Sequence, residues 1–191
     1  MSAVIIREME LEDLAMVFAL GEEYFTAELF PSLYRTWDEY ELVTMFASDG
    51  ETCLVAEEND EIVGFALGTL IEKRRSAWTY GYIVWLCVRA EYQRAGVARR
   101  LIDRLTELFI SDGARMMIVD TDADNQAALR FFNKQGFGGE REHVFLSKNL
   151  TGHPKYRSKF ARRARRGKKM KATRTVGTEH VIGDEQRGDE S

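Results

Sequence analysis

The sequence predicts an α+β (α/β) fold, a mixed central β-sheet with helices on both faces. Three observations predict it. Two short apolar runs meet at Asn59-Asp60, turn chemistry that joins strands as an antiparallel hairpin. Two further apolar runs, residues 78–88 and 115–122, each lead into a segment of helical period, as crossover connections require. The chain has 191 residues of which 45% are apolar, enough for one domain with a real core plus an appendage.

Each element has its own reason. AVIIREM, residues 3–9, reads as the first strand. Over 10–25, Leu11, Leu14, Val17, Phe18 and Phe25 recur at helical spacing. Pro31 makes residues 26–37 a loop or broken helix. A second helix spans 37–48, with Asp38 or Thr36 as its cap. The hairpin follows as 51–58 and 61–73. WTYGYIVWLCV, residues 78–88, is apolar on both faces and rich in aromatic and β-branched residues, hence a central strand. Residues 96–111 form an amphipathic helix ending near Gly113. RMMIVDTD, 115–122, is another central strand, and 125–136 is a helix capped by Asp124 and closed by a terminal glycine. Residues 141–150 read as a last strand.

Charge is unevenly spread. Residues 1–150 hold 15 Lys and Arg against 26 Asp and Glu, net −11, whereas residues 151–191 carry net +7. An acidic body with a basic tail can have a separate partner for each. Tyr156, Phe160, Ala161 and Ala164 share helical spacing within the tail, which reads as partly helical or disordered. The stretch 153–174 could contact RNA or another anionic surface, the acidic body, or a neighbouring subunit; a solvated tail is the plainer reading. No apolar run is long enough for a membrane span, and no signal-peptide pattern opens the chain. Cys53 and Cys87 lack metal-type spacing and suggest no disulfide framework. These features point to a cytoplasmic protein without a metal; a homodimer stays open.

Residues 93–98, QRAGVA, sit where a buried strand feeds a helix. Small side chains at Ala95, Gly96 and Ala98 leave main-chain N–H groups bare at the positive end of that helix, which suits a pyrophosphate. Arg94, Arg99 and Arg100 could add charge-assisted bonds. A plain strand-to-helix turn would use the same residues, and one glycine in six does not decide between them.

VRAEYQRAGVARRLI resembles the acetyl-CoA-binding segment of the GNAT N-acetyltransferases, with Gln93, Gly96 and Ala98 on its Gln/Arg-x-x-Gly-x-Gly/Ala pattern. DTDADNQAALRFFNKQGF is similar to that family's strand, Asn, helix and Gly-Phe run, and IREMELEDLAMVFAL to its opening strand and helix. The pattern is nearest to the ribosomal-protein and protein N-terminal acetyltransferases. The likeness covers residues 3–150, which implies a GNAT domain over 1–150 and leaves 151–191 as tail. It implies a splayed sheet, with acetyl-CoA as co-substrate in the gap between the two central strands. Main-chain groups of Leu86, Cys87 and Val88 would pair with the pantetheine arm. Amides of Arg94, Ala95, Gly96, Val97 and Ala98 would hold the diphosphate, with Gln93 and Arg99 beside them. Asn125 would bond the arm near the thiol, and the helix carrying Phe132 would lean on the co-substrate.

The resemblance also implies direct attack of an amine on the thioester. Asp120, five residues before Asn125, holds the position of the family's glutamate base; a carboxylate paired with Arg115 or solvated at a strand end is the alternative. The family's usual acid is a tyrosine where this chain has Phe132, which cannot donate a proton. Tyr82 and Tyr80 are the substitutes, unless they only pack on the sheet. Cys87 reads as a small buried hydrophobe rather than a nucleophile, and His143 as a surface residue. Glu22, Glu23 and Glu28 with Tyr24, Phe25, Phe30, Tyr34 and Trp37 could form an acidic, aromatic mouth for a cationic amine, or else a core with a solvated face. Little chain follows Phe137, so the family's long last hairpin would be missing and the site open to a large acceptor. The expected function is acetyl transfer to an amine, with a protein N-terminus or lysine favoured. A small-molecule or polyamine acceptor, and a non-catalytic CoA-binding module with an RNA-binding tail, are the alternatives.

Overall fold

Among the described residues five strands form a single sheet in the order of the chain: β1 (Ile5–Glu8), β2 (Cys53–Glu58), β3 (Glu61–Glu72), β4 (Thr79–Val88) and β5 (Ala114–Val119). The first three pairings are antiparallel and β4–β5 is parallel, so the sheet is mixed as the sequence predicts. The computed structural model describes residues 3–26, 36–72, 78–141, 144, 146 and 148–160. The chain divides into two compact units, Met1–His143 and Val144–Ser191, each described by itself.

The hairpin between β2 and β3 turns on Asn59 (φ 53°) and Asp60 (φ 63°). Both are left-handed, as a two-residue turn matching the twist of its strands requires, and Asn and Asp tolerate that region best. β3 is buried along most of its length because helices cover it on both sides.

On one side lie α1 (Leu14–Tyr24) and α2 (Glu39–Asp49). Their Val17, Leu20, Leu42 and Met45 pack with Trp37, Phe65 and Trp85. Of the two caps expected for α2, Asp38 serves: its carboxylate accepts the Glu41 N–H at 2.8 Å. On the other side lie α3 (Val97–Ser111) and α4 (Gln126–Lys134). Leu101, Leu105 and Phe109 of α3 are fully buried against Leu54, Ala66 and Ile83. The Phe109 ring lies where a β-carbon on Gly81 would stand, so the glycine lets helix and sheet close together.

Two expectations are corrected. Among the described residues of 141–150 none is in a strand, although the apolar run 144–146 has the composition of one. Val144 and Leu146 are largely exposed, at 75% and 85%, so burial does not reward a strand at either. Residues 142, 143, 145 and 147 lie outside the described set. The cap of α4 is Asn125, not Asp124: Asn125 Oδ1 accepts the Ala128 N–H at 3.1 Å. Near the β1 end of the sheet, Arg7 makes a forked pair with the buried carboxylate of Asp13 at 2.6 and 2.9 Å and also reaches Glu57 at 2.7 Å.

In the second unit, residues 154–160 are helical. Every described residue of that unit is exposed. The tail's spacing at Ala161 and Ala164 lies outside the described residues. Among the described residues no helix is long and apolar enough to cross a membrane.

Candidate active site

The site begins with an irregularity in β4. In the β3–β4 register Leu67 faces Trp85 and Gly68 faces Ile83, so Val84 is an extra residue, a β-bulge. Its effect is visible in the packing. Before the bulge, Gly81 and Ile83 face α3; after it, Trp85 and Cys87 face α1 and α2, while Leu86 and Val88 turn to α3. A bulge bends its strand and sharpens the local twist. The last β4–β5 pair is Ile83 with Val119, one residue before the bulge. From Val84 onward β4 therefore keeps its antiparallel partner and leaves its other edge unpaired by β5, which is the splay expected from the sequence.

The direction of main-chain groups along that edge follows from strand alternation. Arg89 N–H donates to Val63 O at 2.9 Å, toward β3. Two residues back, Cys87 must direct its own main-chain groups the same way, while Leu86 and Val88 turn theirs to the open side. Gln93 Nε2 donating to Val88 O at 3.4 Å agrees with that direction.

The edge leads into α3 through a short loop. Gly96 (φ 81°) is the N-cap residue in the left-handed region, and it supplies no side-chain cap. Arg94 also has positive φ, at 74°. Arg100 N–H reaches Gly96 O at 3.1 Å. The amides of Val97, Ala98 and Arg99 precede it in the first turn, where a helix offers no internal acceptor. No heavy atom outside the neighbouring residues lies within 4 Å of where a β-carbon on Gly96 would stand. Bare donors, the positive end of the helix dipole and open space above Gly96 fit a diphosphate. Arg99 lies beside Asp103 at 3.5 Å on the exposed face, whereas Arg100 is drawn away to Val4 O at 2.8 Å.

Where β4 and β5 part, two sequence-predicted residues meet. The Tyr82 hydroxyl donates to the Asp120 carboxylate, across 38 positions of sequence. Tyr82 is half-buried on β4, and Asp120 is exposed just beyond the end of β5. Tyr80, two residues away, stacks at 6.4 Å on Trp78, over which Arg115 lies. Phe132 packs edge-on against Phe131 and Phe137 at 5.2 and 5.3 Å, in the aromatic floor beneath α4. Asn125 stands before α4 with its oxygen engaged as the cap, leaving its amide N–H groups as donors.

Cys87 is 5% exposed and burial pushes its thiol up to about 12, so it is no nucleophile at neutral pH. Of the two readings of this segment, a core with a solvated face holds for its described members. Trp37 is 7% exposed, rests on Gly21 and stacks on Phe65 at 5.3 Å. Phe25 packs on Trp85 at 4.6 Å. Both rings belong to the core between the sheet and α1 and α2. Glu22 and Glu23 are exposed; Glu28, Phe30 and Tyr34, like His143, lie outside the described residues.

Two anchors of the Gly96 loop carry no motif that sequence reading detects. Tyr24, the last residue of α1, accepts the Ala90 N–H on its hydroxyl at 2.8 Å. Tyr92 donates to Glu58 at 2.6 Å, tying the loop to the hairpin. Among the described residues no group of three or more His, Cys, Asp or Glu could hold a metal ion.

The sequence profile of the Acetyltransferase (GNAT) family matches residues 15–137. Among curated relatives, N-alpha-acetyltransferase 30 of Schizosaccharomyces pombe is 31% identical over 46% of this chain, and the match spans 57% of its own length. An acetyltransferase of Yersinia pestis is 28% identical over 79% of this chain and 99% of its own. Among solved structures, an aminoglycoside acetyltransferase from an uncultured soil metagenomic sample superposes with TM-score 0.60 at 22% identity, covering 77% of this chain and 99% of that one.

Proposed function

The chain belongs to the GNAT acetyltransferase family, and from that premise we propose that it transfers the acetyl group of acetyl-CoA to a primary amine, with a protein N-terminus or lysine favoured as acceptor. The observation that carries the reading is the hydrogen bond between Tyr82 and Asp120 at the point where β4 and β5 separate.

Acetyl-CoA supplies an acyl group already activated as a thioester. Leu86 and Val88 offer it an open main-chain edge, as an added strand would use. The first amides of α3, with Arg94 and Arg99, offer charge-matched donors to its diphosphate. Asp120 takes a proton from the acceptor's ammonium group, which must be neutral to attack. Tyr82 passes its hydroxyl proton to the departing sulfur and recovers one from Asp120, while the second nitrogen proton, lost as the tetrahedral intermediate collapses to the amide, leaves to solvent. That relay removes the need for a tyrosine at position 132, where the ring of Phe132 serves packing instead.

The likeness to an N-alpha-acetyltransferase supports a peptide acceptor, and the net charge of −11 on residues 1–150 agrees with a cationic amine of any class. The test is thiol release from acetyl-CoA by the full chain. Acceptors are peptides with free or blocked N-termini, a lysine peptide, polyamines and aminoglycosides, with mass spectrometry of each product. Acetylated peptide amines are the expected product. Turnover confined to aminoglycosides or polyamines overturns the acceptor class, and CoA binding without amine-stimulated thiol release overturns the enzyme reading.

A further inference from the structure

We propose that the basic stretch around the helix of the second unit, residues 148–160, is a binding surface for single-stranded nucleic acid, separate from acetyl transfer. The helix at 154–160 places Tyr156 and Phe160 four residues apart, hence on one face. Their rings lie 4.3 Å apart and 30° from parallel, and the two residues are 37% and 42% exposed. Lys148, Lys155, Arg157 and Lys159 are all exposed around them. Residues 151–174 contain eleven Lys and Arg and no Asp or Glu.

The chemistry selects the partner. A dense positive charge answers a phosphodiester chain, whose affinity comes from counterion release. Exposed aromatic faces answer bases that are not already stacked in a duplex. A bilayer fits less well: residues 151–174 contain no Leu, Ile, Val or Trp, so the sequence there offers little to bury among acyl chains. An acidic protein would use the charge and leave the aromatic pair without a purpose.

The experiment is fluorescence anisotropy of a fluorescein-labelled 20-nucleotide RNA of mixed sequence against the full chain, from 50 to 300 mM salt. Binding is expected at 50 mM, with log K falling against log salt at a slope of about −4, as for roughly six phosphates. The pair Tyr156→Ala and Phe160→Ala is expected to weaken binding at least fivefold with that slope unchanged. Lys155→Gln, Arg157→Gln and Lys159→Gln together are expected to flatten the slope by about two. Calorimetric titration with CoA is expected to be the same for all variants, so failure here leaves the acetyltransferase reading untouched. Absence of RNA binding at 50 mM, full affinity in the aromatic variant, or a preference for duplex RNA, polyglutamate or phosphatidylserine vesicles overturns the proposal.

Discussion

The Tyr82–Asp120 contact concentrates the proposed proton chemistry in one hydrogen bond. Asp120→Asn keeps the shape and loses the base, so kcat is expected to fall about a hundredfold, with loss of the acidic limb of its pH profile. Tyr82→Phe keeps the carboxylate and loses the relay, so kcat falls while the KM for the amine holds. Tyr80→Phe, on a residue stacked against Trp78, is expected to leave both nearly unchanged. Initial-rate kinetics across pH separates the three. Asp120 was singled out by its position against the family pattern, and Tyr82 only alongside Tyr80, as a stand-in for the tyrosine that position 132 lacks. Their bond was not legible, because it depends on how two strands register. A second carboxylate governs acid stability. Its forked hydrogen bonds with Arg7 hold Asp13 below the usual carboxylate range. The unfolded chain then binds the proton more readily, so the stabilisation is full above about pH 4 and is lost as pH falls through the lower folded value. Asp13→Asn is expected to cost about 2 kcal/mol at neutral pH and to flatten the fall in stability below pH 4, read by urea titration at several pH values.

At the scale of elements, the loop from Arg89 to Gly96 and the first turn of α3 act together. Gly96→Ala puts a β-carbon into open space but at φ 81°, so about 1 kcal/mol of strain and little change in CoA affinity are expected. Gly96→Glu adds an anion beside the bare amides, and CoA affinity is expected to fall at least a hundredfold in calorimetric titration. Near-normal affinity in that variant would move the diphosphate elsewhere. Tyr92→Phe removes the tie to Glu58 and is expected to raise the KM for acetyl-CoA several-fold with kcat little changed. The regular elements were readable because their periods and punctuation agree, as at Asn59-Asp60 and at Asp38. The Val84 bulge was not, because YIVWLCV is apolar at every position and offers no alternation whose phase could slip. The last strand failed at its described residues because composition alone does not report burial: Val144 and Leu146 suit a strand and are both exposed.

At the scale of the molecule, Cys53 and Cys87 report on the cooperativity of the domain. They sit on β2 and β4, one either side of β3, and both are buried in the core beneath α1 and α2. Burial pushes each thiol up to about 12. Little of either thiol is then thiolate at pH 8, and the side chains are 0% and 5% exposed. Labelling must wait for the sheet to open. If strand and helix layers unfold as one unit, both thiols are expected to react with iodoacetamide at the same slow rate, and that rate should rise with urea on the slope of global unfolding. Cys87 lies on the splayed half of β4, beyond the last β4–β5 pair, so it is also placed to detect a local opening of the proposed cleft. Faster labelling of Cys87 than of Cys53, with little dependence on urea, would mean that this half of β4 loosens without the rest. Saturating CoA would then be expected to bring the two rates together by filling the edge that β5 leaves free.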